Sequence, residues 1–300
     1  MGKPTAEEYP AEILHLIFEN MRPALLWHYT SSSGLLGILE SHNIWASDVR
    51  ALNDEKELKH AAQVLEHAFK NHLRARGIRD EDDVRSISSQ FRGMGDLVRG
   101  HCVCSFSESG DLLSQWRAYA SDGRGIAIGL NTELLEADAS DSSFSLGKCL
   151  YNYEDQYRVC ASYLDLVMRD YDIGQIVSNF PLALPTALQN FIYTIGPFLK
   201  HPAFVDEREW RLVSGQNHLY SAQWKYRAIA NGLSAYIELP LPRIFCAEKD
   251  DEPQEHTPHF QFTVGPKARK TPTNYILQAL SQKILGKAYG ISQSSVPYID

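Results

Sequence analysis

The sequence of 300 residues has no CxxC pair, no paired Cys/His zinc spacing, no HExxH and no GxSxG. A zinc ribbon, a zincin and a serine hydrolase elbow are therefore all unsupported. It also has no excess of positive charge: 29 Lys and Arg stand against 37 Asp and Glu, a net of -8. A chain-wide basic footprint for duplex nucleic acid is absent, although a local patch is still allowed. No uncharged apolar run approaches the ~18 residues that span a bilayer. The opening MGKPTAEEYP carries acids and no apolar core, so no signal peptide is expected. Five cysteines is an odd number, and they read as reduced thiols of a cytoplasmic protein, with Cys102 and Cys104 expected on opposite faces of a strand. Repeats and low-complexity tracts are missing too.

What is present is globular: 44% hydrophobic and 22% charged residues. Helix-spaced apolar residues over 10–20 form an expected N-terminal helical extension, residues 1–24. Short strands are expected at LLWHYT (25–30), Ile44-Trp45-Ala46, HCVCSFSE (101–108) and GRGIAIGL (123–130). Further strands are expected at EREWRLV (207–213), AYIELPLP (235–242), RIFCAE (243–248) and HFQFTVGP (259–266). Helices should start at Ser31–Ser33, pass through Leu58, Ala61, Leu65 and Phe69, start again at a capping Asp111, and cover 273–287. Residues 75–96 read as a polar excursion. A mostly helical insertion at about 154–200 is broken near Pro181 and Pro185. Strands and helices mix without a βαβ beat, so the class is α+β, with 25–300 as one domain.

Three segments can carry chemistry. In Trp27-His28-Tyr29-Thr30 a histidine near a strand end precedes a helix start, which favours anions such as a pyrophosphate. The competing reading is a histidine satisfied inside the sheet. Ser105 and Ser107 alternate onto one strand face, and Trp116 and Tyr119 lie three apart on a helix, where they could stack on a cationic heterocycle. An ordinary core pair is the alternative for those rings. Glu207 and Glu209 would stand roughly 7 Å apart along a strand, one acting on a sugar and one on a nucleophile. A carboxylate–arginine ladder involving Arg208 and Arg211 is the plain alternative. The turn Gly123-Arg124-Gly125 precedes a strand and lacks GxGxxG, so it reads as a tight strand entry.

The stretches LWHYTSSSGLLGILESHNIWASDVRALNDEKE, CVCSFSESGDLLSQWRAYASDGRGIAIGL and FVDEREWRLV, with FTVGP and ISQSSVPY, resemble domain of unknown function family 2971. That family in turn resembles a distant branch of the ADP-ribosyltransferase superfamily, whose fold is a split antiparallel β-sheet core with helical insertions. The resemblance implies NAD as co-substrate and no metal. It implies a catalytic Glu209 seconded by Glu207, with His28, Tyr29, Thr30, Ser105, Ser107, Trp116 and Tyr119 binding the dinucleotide. Within that scheme His28 fixes the adenosine side, Ser105 holds the Glu209 strand in register, and Glu207 orients the acceptor. The acceptor is water, a protein side chain or a nucleic-acid base, and the setting it suggests is a toxin or antiviral defence effector. A partner protein or homo-oligomer is allowed. The rival readings are a nucleotide- or partner-binding module without turnover and a metal-dependent nuclease.

Overall fold

The computed structural model describes residues 9–18, 21–49, 57–78, 80–89, 101–169, 171–172, 183–215, 223–229, 232–246, 258–286 and 288–298. A short helix α1 (Ala11–Ile13) continues as a wider turn over Leu14–Phe18. Next come β1 (Leu25–Thr30), α2 (Ser32–Ser41), β2 (Asn43–Asp48), α3 (Glu57–Ala75) and α4 (Glu81–Ser88). The middle of the chain holds β3 (Cys102–Ser107), α5 (Leu113–Tyr119), β4 (Ile126–Asn131), α6 (Thr132–Asp141), β5 (Phe144–Lys148) and α7 (Tyr153–Val167). It is followed by α8 (Ala183–Thr194), a 3₁₀ turn at Pro202–Glu207, β6 (Glu209–Ser214), β7 (Lys225–Ile229) and β8 (Gly232–Pro240). The last elements are β9 (Phe260–Val264), α9 (Lys270–Leu285) and β10 (Gly290–Gln293).

Ten strands form one open sheet in the order β10-β9-β4-β1-β3-β2-β8-β7, with β6 on β3 and β5 on β6. All pairs are antiparallel except β10 with β9. The architecture is thus mixed α+β around a large, mostly antiparallel sheet. Its centre is where the site lies. β3 meets β1 at Trp27↔Ser107 and β2 at Ser47↔Val103 and Asp48↔Cys102, so two strands pair with opposite ends of β3. Among the described residues, Cys104–Phe106 have no strand pairing to β1 or β2, and the sheet opens there.

Alternation along β3 and β6 assigns the two sides. Cys102, Cys104, Phe106, Trp210 and Leu212 enter one core with α2, α6 and α9. Val103 and Val213 enter another with α1, α3, α7 and α8. Cys102 and Cys104 therefore share a face, as residues two apart on a strand must, and the expectation of opposite faces is corrected. None of the five cysteines is in a disulfide among the described residues, and Cys246 alone among them is exposed.

Other expectations shift for local reasons. RIFCAE is not a strand over 243–246 but a turn, because the Asp138 carboxylate accepts the backbone N–H groups of Arg243 and Ile244. Residues 247–248 lie outside the described set, as does Pro181. Pro185 sits in the first turn of α8, which starts at Ala183, a position a proline tolerates. Within the polar stretch 75–96, α4 forms and buries Val84. Asp111 does not cap α5, whose N-cap is Leu112 without a side-chain bond. The Asp111 carboxylate instead accepts from Trp116 Nε1 at 2.8 Å, Ser294 Oγ at 2.6 Å and the Ser295 N–H at 2.7 Å. It ties the C-terminal segment over α5. Asp111→Ala should cost about 1–3 kcal/mol, since the buried Trp116 N–H loses its acceptor. Urea unfolding checks this, and an unchanged midpoint would show that the tie contributes nothing.

Candidate functional site

A cleft of about 820 Å³ opens at the gap in the sheet. Its walls include His28, Thr30, the first residues of α2, Trp45, Ser47, Ser105, Tyr119, Lys200, Phe204, Glu207, Glu209, Arg211 and Arg227. The start of α2 is built by Ser31, whose Oγ accepts the Gly34 N–H at 3.0 Å. A Cβ at Gly34 would come within 2.1 Å of Thr30 Oγ1, so a larger residue there would have to displace that hydroxyl. The helix start is held against β1 by that close approach.

His28 Nδ1 lies 3.1 Å from the Ser105 carbonyl, which can only accept, so this nitrogen carries the proton. Burial lowers the His28 pKa, against the opposing pull of that bond. A neutral ring leaves Nε2 as an acceptor. Tyr29 borders the cleft, but its hydroxyl donates to the Ser109 carbonyl at 2.8 Å and accepts the Leu112 N–H at 2.9 Å.

The carboxylates come next. Glu207 was expected on the same strand as Glu209, but β6 begins at Glu209. Glu207 ends the 3₁₀ turn, and Arg208 takes the left-handed conformation (φ 47°, ψ 51°) between them. Both side chains nevertheless reach one cation. Lys200 Nζ is 2.6 Å from Glu207 Oε2 and 2.5 Å from Glu209 Oε2. Arg211 adds Nε to Glu209 Oε1 at 2.7 Å and Nη2 to Oε2 at 3.0 Å. The ladder thus runs through Arg211 and Lys200, and Arg208 is exposed outside it. Sequence reading missed Lys200. It is 2% exposed, its carbonyl accepts from Gln156 of α7 at 2.7 Å, and no local motif announces it. Tyr151, also missed, accepts the Glu209 N–H at 2.9 Å.

Burial pushes the Glu209 carboxyl up, but Arg211 and Lys200 outweigh it and bring the pKa down to about 2. Burial raises the Glu207 carboxyl, and there Lys200 does not fully compensate. The pair is driven apart, Glu209 below its ordinary range and Glu207 above it. The stability consequence follows by linkage. A carboxyl held at about 2 instead of its ordinary 4.5 contributes stability that is complete above 4.5 and lost as pH falls toward 2. The loss is on the order of 3 kcal/mol. Glu207 has the opposite sign, so its protonation on acidification relieves strain. Between pH 7 and pH 3 the wild type should lose more urea resistance than Glu209→Gln. Equal losses would contradict the pairing.

Two residues of the expected ligand-contacting set do not border the cleft. Trp116 is fully buried, packed edge-on to Tyr29 at 4.8 Å with Ala120 and Ala127, and does not border the cleft. Its indole supports β1 from behind, while Tyr119, 39% exposed, lines the cleft. Ser107 is buried and donates to the Glu207 carbonyl at 2.9 Å, so it positions that residue's backbone. Ser105 borders the cleft and stands opposite Arg211, with Ser107 opposite Glu209. Among the described residues no group of three His, Cys, Asp or Glu is arranged to hold a metal ion, and no helix is long and apolar enough to cross a membrane.

No curated protein and no solved structure matches the chain. A family model described as "Protein of unknown function (DUF2971)" matches residues 115–212, about a third of the chain. That stretch contains Tyr119, Lys200, Glu207 and Glu209, while His28, Ser105 and Arg227 lie outside it. By this match the segment from Gln115 to Leu212 is similar to the DUF2971 family.

Proposed function

We propose that the cleft binds NAD and breaks its nicotinamide–ribose bond, on an ADP-ribosyltransferase-like sheet, in the cytoplasm. The observation that carries this reading is that Glu209, paired with Lys200 and Arg211, borders the same hollow as His28 and the start of α2. As the C1′–N bond breaks, its electron pair leaves with nicotinamide and positive charge develops on the ribose. Glu209 accepts a hydrogen bond from the 2′-hydroxyl and stabilises that charge, as carboxylates do in glycosidases. His28, through Nε2, accepts from the adenosine-side ribose, and Tyr119 stacks on the nicotinamide ring. Ionised Glu207 takes the proton of the acceptor as the acceptor's nucleophile bonds to C1′. Water as acceptor gives free ADP-ribose, and a protein side chain or a base gives a transferred one. The setting proposed from the resemblance is a toxin or antiviral defence effector.

A second reading rests on the pairing of both Glu209 oxygens. If that pairing persists with ligand bound, the cleft is a nucleotide-binding module without turnover. Incubating the protein with NAD and, separately, with nucleic acid, each with and without EDTA, separates the readings. Chelator-insensitive nicotinamide release supports the proposal, no release supports the module, and chelator-sensitive nucleic-acid cleavage supports a nuclease. Tyr119 and Leu36 are equally exposed, each at 39%. Tyr119→Ala should therefore weaken NAD binding about tenfold, an aromatic contact being worth ~1 kcal/mol or more, while Leu36→Ala should leave it unchanged. Calorimetry at equal folded fraction checks this, and equal losses would return Tyr119 to a packing role.

A further inference from the structure

The cleft's cations are not equivalent. Lys200 and Arg211 are committed to Glu207 and Glu209. Arg227, on the edge strand β7, borders the same cleft and has no ion pair among the described residues. Its Nη2 donates to Ser47 Oγ at 2.8 Å. Its Nε is buried with no hydrogen-bond partner among the described residues. The guanidinium carbon lies over the Trp45 ring at 5.3 Å and the Tyr236 ring at 5.8 Å. Trp45 is backed by Tyr236 at 4.4 Å yet remains 41% exposed.

A guanidinium fork without a carboxylate, next to an accessible indole, is suited to one kind of ligand: an oxyanion joined to a flat ring. The orphan donor would gain an acceptor as the fork turns to meet the anion. Strand alternation puts Trp45 and Ser47 on the side of β2 opposite Ile44 and Ala46, which enter the core. This end of the cleft is therefore walled by β2 and β7, whereas Tyr119 comes from α5.

We infer that Arg227 and Trp45 form a nucleotide subsite, Arg227 binding the phosphate and Trp45 stacking on the base. The inference deepens the NAD reading and rests on the same cleft being the ligand site. Binding of adenosine 5′-monophosphate and of adenosine to the full chain, measured by calorimetry, tests it without any turnover. The wild type should bind the monophosphate at least tenfold more tightly than the nucleoside. Arg227→Met should erase that advantage, and Trp45→Ala should weaken both ligands together, with thermal melting reporting that each variant is folded. Equal affinity for the two ligands, no binding of either, or an advantage that survives Arg227→Met would overturn the subsite. Phosphate-dependent binding without nicotinamide release would leave the subsite standing and defeat the catalytic proposal. Release without a phosphate advantage would do the reverse.

Discussion

Lys200→Met should destabilise the protein by about 3–5 kcal/mol, the usual result of removing one partner from a buried charge cluster. Nζ is the shared donor to Glu207 and Glu209, and Lys200 is 2% exposed. Without it two carboxylates face each other with Arg211 as their remaining cation in the cluster. The urea midpoint should fall accordingly. Adding Glu207→Gln to Lys200→Met leaves the Glu209–Arg211 pair balanced and should restore part of the loss. If Lys200→Met costs less than about 1 kcal/mol, the cluster is hydrated and its charges are weakly coupled.

Glu209→Gln carries the second large effect, on two measurable quantities. Nicotinamide release should drop by about 10²–10³ or more, the range seen when one preorganised electrostatic group is removed from a transition state. Stability should drop as well, because Arg211 and Lys200 lose their shared anion. A variant inactive only because it unfolds proves nothing about chemistry. The comparison therefore has to be made at equal folded fraction.

Much of this site was legible locally. The apolar run 25–30 before three serines specifies β1, a Ser31 cap and α2, because each depends on neighbours in sequence. The Glu207–Glu209 pair was legible as a pair but not in its geometry, since nothing local demands that the non-glycine Arg208 adopt φ 47°. Helical spacing links Trp116 and Tyr119 but cannot say which ring faces ligand. α5 has seven residues, and the acceptor that holds Trp116 inward, Asp111, lies just before it. β5 was missed because Gly147 weakens the strand signal in FSLGK. That glycine is required, as a Cβ would come within 2.7 Å of Ile17 and Phe198. Lys200 and Arg227 were illegible for a different reason. A lone cation in sequence reads as surface, and only the tertiary fold shows that Lys200 is sunk between two acids and that Arg227 borders the cleft.

The account stands or falls on whether the Glu209 carboxylate does chemistry beyond balancing charge. The measurement that separates these roles is nicotinamide release from NAD by the wild type and by Glu209→Gln combined with Arg211→Met, followed by chromatography. The double variant leaves Lys200 paired with Glu207, so it should regain part of the stability that Glu209→Gln loses. The account predicts release by the wild type and none above background by the double variant at equal folded fraction. Release by both at similar rates, or by neither, would contradict it.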